Sequence, residues 1–355
     1  MKLSWTTLVL ALGACTPEPP CLPFEGTLEL PNEVQAPDGD VTVALFPVTF
    51  GADYFTAGAE LMSTTADAGA WAFCLPDQLQ DTAYASPDPG GSPSFQIGAL
   101  MLGAYVDVDG DGAYSSPDTL VAGASELLVN ARGEVPTAGG VWDGVAGWNL
   151  MEFVFTEPNA DPDLAFTPIE QGRTAYVQQE NLLPAGHDSL GGVIAPACGA
   201  ETVVDVVHTA MFDATAPQPA DLHLGSVVVD ATQAGSAYSL SGPFTAPPPA
   251  DHLLPDTAQN VGMSIATYVA LAYTDTDADG AWTPSTDPLC GASHVDPTPT
   301  MVAYLEPTSL TSGVFLHGWG LRAGWVLLDV QGGADAPPTL TAWETGLAIE
   351  PPPPT

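Results

Sequence analysis

The sequence predicts an all-β protein made of two tandem, internally duplicated β-sandwich domains. Short runs rich in Val, Thr and aromatic residues alternate with turn residues, and glycine and proline each occur 36 times. No long stretch repeats its apolar residues with the 3.6-residue period of a helix. Two acidic stretches align without gaps at an offset of 168 residues, and long-period self-similarity of this kind indicates two copies of one domain.

The predicted strands are short and are separated by turn residues, for example the Pro-Asp-Gly-Asp run at 37–40. In the first half we expect strands at 26–30, 41–46, 70–75, 98–108 and 149–155. In the second half we expect them at 203–212, 225–231, 263–273, 300–305 and 322–330. Regions 176–184 and 253–260 have room for short helices at most. Strands at this spacing with few helices are typical of a β-sandwich.

The repeat continues outside the acidic stretches. The pairs that resemble each other are 41–50 with 202–212, 69–76 with 236–243, and the Gly-Trp-x-Leu runs 147–150 with 318–321. From these pairs we expect a first domain at 24–170, a linker at 171–184, a second domain at 185–349 and a Pro-rich tail at 350–355.

Each copy contains a similar short element, which begins with Gly or Ser, continues with an aromatic residue and a predicted strand, and ends with a proline. The two elements are 69-GAWAFCLP-76 and 236-SAYSLSGP-243. This arrangement resembles the transthyretin-like, Cna-B and carboxypeptidase-regulatory sandwiches of bacterial surface proteins. The resemblance implies small antiparallel sandwich domains, and a general immunoglobulin-like sandwich is the alternative.

The charge of the chain is strongly negative, with 43 acidic side chains, 4 basic ones and a formal net charge of −39. Nucleic acid is excluded as a partner, because phosphate binding needs clustered Lys and Arg. An anionic membrane surface would also repel the chain. Cations are the natural partners of such a surface, and solubility or adaptation to salt accounts for the acidic residues scattered among loops.

The N-terminus reads as an export signal. Residues 1–14 carry one cation, Lys2, followed by an apolar run that is too short to span a membrane as a helix. The end of this run, 12-LGAC-15, resembles the lipobox of bacterial lipoproteins, which implies cleavage before Cys15 and its acylation. Thr16 rather than Asp follows, which implies sorting to the outer membrane as a lipid-anchored protein, and residues 15–23 would form a stiff Pro-rich tether. An ordinary secretory signal is the alternative.

Four cysteines remain after Cys15, and an even number in an exported chain suggests two disulfides. Three connectivities are open. We favour Cys21–Cys74 with Cys198–Cys290, because each bond then lies within one proposed domain. No Cys-x-x-Cys pair is present, which argues against a redox or zinc-ribbon role.

The first acidic stretch, residues 107–118 (loop 1), predicts a calcium site. Calcium takes six to eight oxygen ligands, and a twelve-residue loop supplies them from positions 1, 3, 5, 7, 9 and 12, with glycine at position 6. Loop 1 has Gly112 at position 6 and resembles the loops of EF-hands, dockerins and thrombospondin-type repeats, with Asp in place of the usual Glu at position 12. The ligands that follow from this match are Asp107, Asp109, Asp111, the Ala113 carbonyl, Ser115 and Asp118.

The second stretch, residues 275–287 (loop 2), repeats the pattern with Gly280 at position 6. Position 12 is Thr286, and Asp287 comes one residue late, so we expect Asp287 to be the last ligand in a slightly reshaped loop. The complete expected set is Asp275, Asp277, Asp279, the Ala281 carbonyl, Thr283 and Asp287. Because the flanks are strand-like, we expect structural calcium binding rather than a helix-opening switch.

The sequence gives little support for catalysis, and we expect no enzymatic activity. All six histidines lie in the second half, none in a metal-binding spacing, and we interpret them as scattered surface or strand residues. The run 186-GHDSLGG-192 superficially resembles the GDSL esterases but lacks their strand–helix context. Four tryptophans could stack on sugars or fill the core: Trp142, Trp148, Trp319 and Trp325.

These observations predict a calcium-stabilised surface lipoprotein of the outer membrane with a structural or adhesive role and a protein or glycan partner. A carbohydrate- or ligand-binding envelope protein is the alternative. A glycan-processing hydrolase is the third candidate, because paired carboxylates cannot be assigned or dismissed without their separation.

Overall fold

The protein is all-β, as the sequence predicts, and the helical turns among the described residues are short 3₁₀ segments, apart from Leu316, which is α-helical. The computed structural model describes residues 21–28, 40–50, 55–66, 69–84, 95–115, 118–133, 144–154, 163–169, 179–212, 221–255, 263–278, 280–283, 285–295, 298–307, 316, 321–330 and 339–351. The 3₁₀ segments among them are Asp81–Ala83, Thr209–Phe212, Pro243–Thr245, Ala250–His252 and Trp343–Thr345.

The first domain consists of one large antiparallel sheet and one small sheet. Its strands are β1 (Leu22–Thr27), β2 (Val41–Phe50), β3 (Phe55–Ala57), β4 (Met62–Thr65), β5 (Ala70–Leu75), β6 (Phe95–Val106), β7 (Thr119–Gly133), β8 (Gly147–Val154), β9 (Asp163–Pro168) and β10 (Gln179–Asn181). The large sheet has the order β3-β2-β6-β7-β8-β9, with β4 beside β2 and β10 beside β7. Strands β1 and β5 pair with each other and form the small sheet.

The small sheet packs on one face of the large one because β5 alternates perfectly between small and large residues. Trp71, Phe73 and Leu75 are buried, whereas the residues between them are exposed. They share a hydrophobic core with Leu45 and Leu100 of the large sheet. These contacts form the sandwich.

The opposite face of the large sheet is also buried, and Phe46, Met101, Tyr105, Leu127 and Met151 form a second hydrophobic cluster there. Strands covered on both faces need apolar residues at successive positions rather than at alternate ones. This requirement explains the unbroken run of apolar and small residues in β6, which is buried at every position from Gly98 to Val106.

The second domain repeats this layout. Its strands are β11 (Ser189–Ile194), β12 (Thr202–His208), β13 (His223–Val229), β14 (Ser236–Ser241), β15 (Leu254–Pro255), β16 (Met263–Thr274), β17 (Leu289–Ala292), β18 (His294–Val295), β19 (Thr298–Pro307), β20 (Gly324–Asp329), β21 (Thr339–Thr341) and β22 (Leu347–Ile349). The large sheet has the order β13-β12-β16-β19-β20-β21, and β14-β11-β22 form the small sheet. Leu190, Tyr238, Leu240, Tyr268 and Trp325 lie in the core between the two sheets.

The structure corrects one pair in the sequence alignment of the two copies. Gly147 and Gly324 both begin a strand with a positive φ, 93° and 90°, and a buried tryptophan follows each. Trp148 donates its indole N–H to the Pro76 carbonyl at 2.7 Å, and Trp325 donates to the Ala246 carbonyl at 2.9 Å. The structural equivalent of 147–148 is therefore 324–325 and not 318–319, which matched only as a short sequence run.

Both expected disulfides are present in the structure. Cys21 is bonded to Cys74, with their Cα atoms 5.2 Å apart, and this bond fastens the start of β1 to β5. Cys198 is bonded to Cys290 of β17, with a Cα separation of 5.8 Å. The second bond holds the strand that directly follows loop 2.

Several expected boundaries differ from the observed elements. Strand β1 begins at Leu22, inside the expected tether 15–23, because residues 22–27 pair in register with β5. At the other end, Glu350 exchanges two backbone hydrogen bonds with Ala292, so the first residue of the expected tail belongs to the second domain. Regions 176–184 and 253–260, which had room for short helices at most, contain the short strands β10 and β15 where the structure describes them.

The end of the expected linker contacts both domains. Strand β10 pairs with β7, and Leu183 lies in the core of the first domain. Leu182 is buried against the second domain's outer cluster, which includes Leu305 and Val326. Ala185 forms an isolated parallel bridge with Gly324. Residues 179–185 therefore form a packed joint rather than a free connection.

Candidate metal-binding loops

Loop 1 connects two neighbouring strands of the large sheet. Val106 at the end of β6 pairs with Thr119 at the start of β7, so Asp107 and Asp118 leave the sheet side by side. The backbone topology therefore brings positions 1 and 12 of the loop together, although they are eleven residues apart in sequence. This is the arrangement that the spacing predicted.

The carboxylates of loop 1 converge on one point. Asp107, Asp109 and Asp118 each offer an oxygen, and these atoms lie within 4.8 Å of one another. Backbone amides orient them: Gly110 and Gly112 donate to the two oxygens of Asp107 at 2.7 and 2.9 Å. Asp118 in turn accepts from Val108 at 2.8 Å and from Ser115 at 2.7 Å.

The other predicted ligands of loop 1 lie in the same turn but outside this group of three. Asp111 accepts a hydrogen bond from the Ala113 amide at 2.8 Å. The Ser115 hydroxyl donates to Asp109 at 3.3 Å, which places position 9 next to position 3. Gly112 has a φ of 79°, a left-handed conformation that suits glycine at the sharp turn.

Loop 2 has the same hydrogen-bond pattern. Asp275, Asp277 and Asp287 offer oxygens within 4.8 Å of one another. Asp275 accepts from the amides of Ala278 at 2.7 Å and Gly280 at 3.0 Å, as Asp107 does from Gly110 and Gly112. Two loops that differ in most side chains thus form the same cage.

The structure places Asp287 at the closing position of loop 2. Its carboxylate accepts from the amides of Thr276 at 2.9 Å and Thr283 at 2.8 Å, the same roles that Asp118 has in loop 1. These backbone hydrogen bonds lower the pKa of Asp287, so it carries its charge over a wider pH range. Thr286 instead points its hydroxyl at Asp277. Ala281 lies in the loop between these groups, and the predicted ligand Asp279 lies outside the described residues.

The donor set fits calcium in chemistry and in size. Calcium binds oxygen ligands at about 2.3–2.6 Å, so two ligands on opposite sides of the ion are at most about 5 Å apart. Oxygens within 4.8 Å of one another satisfy this limit. A polar cleft of about 440 Å³, lined by Asp40, Thr42 and residues of β4, opens onto Asp107 and gives an ion a route to loop 1.

Each loop also contributes an aromatic residue to the sheet beneath it. Tyr114 and Trp282 both occupy position 8 of their loops. Tyr114 makes edge contacts with Phe46 and Tyr105 of the outer cluster, at centroid distances of 5.7 and 5.2 Å. Trp282 packs on a separate hydrophobic cluster of the second domain, which includes Val203, Leu271 and Tyr273. The loops are thereby coupled to the hydrophobic packing of their domains.

His252 does not match the interpretation of the histidines as surface or strand residues, because it is buried in a 3₁₀ segment, whereas His208 is the last residue of β12. His208 and His252 are both fully buried and in contact, with ring centroids 5.2 Å apart. The Ala210 amide donates to Nδ1 of His208 at 3.1 Å, and its Nε2–H donates to the His252 carbonyl at 3.1 Å. Nδ1 of His252 is hydrogen-bonded to the Tyr268 hydroxyl at 2.8 Å. His208 accepts at Nδ1 and donates from Nε2, so its ring is neutral, and its separation of 44 residues from His252 left no local signal in the sequence.

We expect this histidine cluster to make the second domain sensitive to acid. Burial lowers the pKa of His208 below its usual 6.5, the hydrogen bond to the His252 carbonyl opposes this shift, the neighbouring His252 side chain lowers the pKa further, and Asp251 raises it. As the pH falls through about 6.5, the unfolded chain binds a proton that the folded His208 does not, so the free energy of unfolding decreases. The free energy of unfolding stops decreasing once the pH is below the folded-state pKa of His208, because the residue is then protonated in both states.

This effect can be measured by urea unfolding at pH 7.5 and 5.5. His208→Gln keeps a hydrogen-bond acceptor and a donor but cannot titrate. Its free energy of unfolding should therefore change less with pH than that of the wild-type protein, by at most the slope that one bound proton contributes. The variant contradicts the assignment if its stability changes with pH as steeply as that of the wild-type protein.

Of the four candidate tryptophans, the two that the structure describes belong to the core. Trp148 is 5% exposed and Trp325 is completely buried. A sugar-stacking surface cannot include either of them. The remaining two candidates, Trp142 and Trp319, lie outside the described residues, as does the expected lipidation site Cys15.

Comparisons with known proteins found no match to any family model, to any curated protein or to any solved structure. Among the described residues, no helix has the length and apolar character needed to cross a membrane.

Proposed function

We propose that the protein is an exported surface lipoprotein whose two β-sandwich domains are each stabilised by one structural calcium ion. The observation that carries this proposal is the pair of carboxylate triads at equivalent sheet positions, held by the same backbone hydrogen bonds. Without an ion, three carboxylates within 4.8 Å repel one another. An ion converts that repulsion into a cross-link between the strands on either side of the loop.

The surface role follows from the N-terminal sequence and from the charge. Acylation at Cys15 would hold the chain at the outer membrane, and a net charge of −39 keeps the domains away from anionic surfaces. Mass spectrometry of the mature N-terminus tests the anchor, and an unmodified Cys15 would reject it. With an anchor, a tether and two rigid domains, the proposed role is structural or adhesive, towards a protein or glycan partner.

Calcium titration by isothermal calorimetry tests the metal assignment. We expect two ions per chain with dissociation constants of about 10⁻⁴–10⁻³ M, typical of extracellular sites. Asp109→Asn should remove one binding event and Asp277→Asn the other, because each takes a charge from one triad. Unchanged stoichiometry in both variants would place the ions elsewhere.

A further inference from the structure

The two loops are held at the same backbone position by carboxylates that lie outside them. In loop 1, Oε2 of Glu60 accepts from the backbone N–H of Tyr114 at 3.2 Å and from the Tyr105 hydroxyl at 2.7 Å. In loop 2, the backbone of Trp282 lies near the carboxylate of Asp205, whose Oδ2 is hydrogen-bonded to His223 and whose buried Oδ1 has no hydrogen-bond partner among the described residues. Tyr114 and Trp282 both occupy loop position 8.

These carboxylates come from places that are not equivalent in the two domains. Glu60 precedes β4, whereas Asp205 lies within β12. The residue that corresponds to Asp205 in the first domain is Ala44, because Ala44 pairs with Gly103 and Asp205 with Leu271, 168 residues later. A carboxylate from outside the loop thus lies beside position 8 in both copies, but it comes from a different residue in each.

Burial of the Asp205 carboxylate costs free energy of folding. Asp205 is completely buried, burial raises its pKa, and Nδ1–H of His223 donates to it at 2.6 Å and opposes that shift. A buried carboxylate that destabilises the fold at neutral pH indicates a requirement other than packing.

That requirement is found in the peptide unit itself. The N–H of residue 114 and the C=O of residue 113 belong to one planar trans peptide, in which they point in opposite directions. A carboxylate that holds the Tyr114 N–H on the sheet side therefore turns the Ala113 carbonyl towards the loop interior. The same relation connects Trp282 to the Ala281 carbonyl.

We propose that Glu60 and Asp205 are positioning residues for the metal loops, and that each fixes the orientation of the position-7 carbonyl that binds the ion. This role rests on the calcium sites proposed above. In this proposal a half-buried glutamate has the positioning role in the first domain, and a buried aspartate has it in the second.

The test measures calcium affinity by calorimetry for one loop at a time. In an Asp277→Ala background, which leaves loop 1 alone, Glu60→Ala should weaken binding about tenfold, the usual lower range for groups that orient a ligand. Glu60→Gln keeps the hydrogen-bond acceptor and should stay within about threefold of the background protein. Tyr105→Phe removes the other partner of Glu60 and should leave the affinity unchanged.

In an Asp109→Ala background, Asp205→Ala and Asp205→Asn should reproduce this contrast for loop 2. The positioning role is overturned if Glu60→Gln is as weak as Glu60→Ala, because charge rather than orientation would then be responsible. It is equally overturned if Glu60→Ala binds calcium normally. Absence of calcium binding in both background proteins would instead reject the metal sites themselves.

Discussion

In 5 mM calcium the mature protein is expected to melt about 5–9 °C higher than in chelator, and Asp109→Ala combined with Asp277→Ala should abolish this difference. With a dissociation constant near 10⁻⁴ M, each ion adds about 2.3 kcal/mol to the stability of its domain. For domains of this size, 1 kcal/mol corresponds to about 2–4 °C in melting temperature. Differential scanning calorimetry measures the shift directly.

A charge-matched control separates the metal effect from a general reduction of negative charge. Asp77→Ala combined with Glu201→Ala removes two exposed carboxylates from outside both loops. This control should keep the full calcium-dependent shift. If the loop variant keeps the shift as well, calcium acts elsewhere on the acidic surface.

Replacing Gly324 by alanine is expected to cost about 3–5 kcal/mol of stability. Gly324 has a φ of 90°, and an added Cβ would overlap the backbone nitrogen and oxygen of Ala185 and the carbonyl carbon of Pro184. Left-handed backbone strain accounts for about 1–2 kcal/mol and forced displacement of the joint for the rest. Chemical denaturation measures the loss.

The first domain supplies the matched control. Gly147 occupies the equivalent position with a φ of 93°, but an added Cβ would meet nothing within 4 Å. Gly147→Ala should therefore show the backbone strain alone, about 1–2 kcal/mol. Equal losses in the two variants would show that the contact between Ala185 and Gly324 does not stabilise the second domain.

The local features of this fold could be predicted from the sequence, because they depend on local chemistry. The alternation of small and large residues in β5 and the apolar run of β6 each indicate a strand, whichever neighbouring strand it pairs with. The spacing of Asp107, Asp109 and Asp118 identifies a loop because a twelve-residue turn fixes its own geometry. The late Asp287 was also predictable, since only a carboxylate can take the place of Asp118.

The features that depend on long-range pairing could not be predicted. Strand β7 was missed because its residues 119–133 mix small and polar residues with apolar ones, and only the neighbours β6 and β8 make them a strand. The contact of His208 with His252 and that of Glu60 with Tyr114 join residues 44 and 54 positions apart. Such contacts leave no periodicity in the sequence, so only the folded chain reveals them.

A crystal structure of the protein grown in calcium, with anomalous diffraction data, tests the central claim most directly. The account predicts two anomalous peaks, one bounded by Asp107, Asp109 and Asp118 and the other by Asp275, Asp277 and Asp287, with oxygen ligands at about 2.3–2.6 Å. Triads that hold only water, with their aspartates turned away from one another, would contradict it.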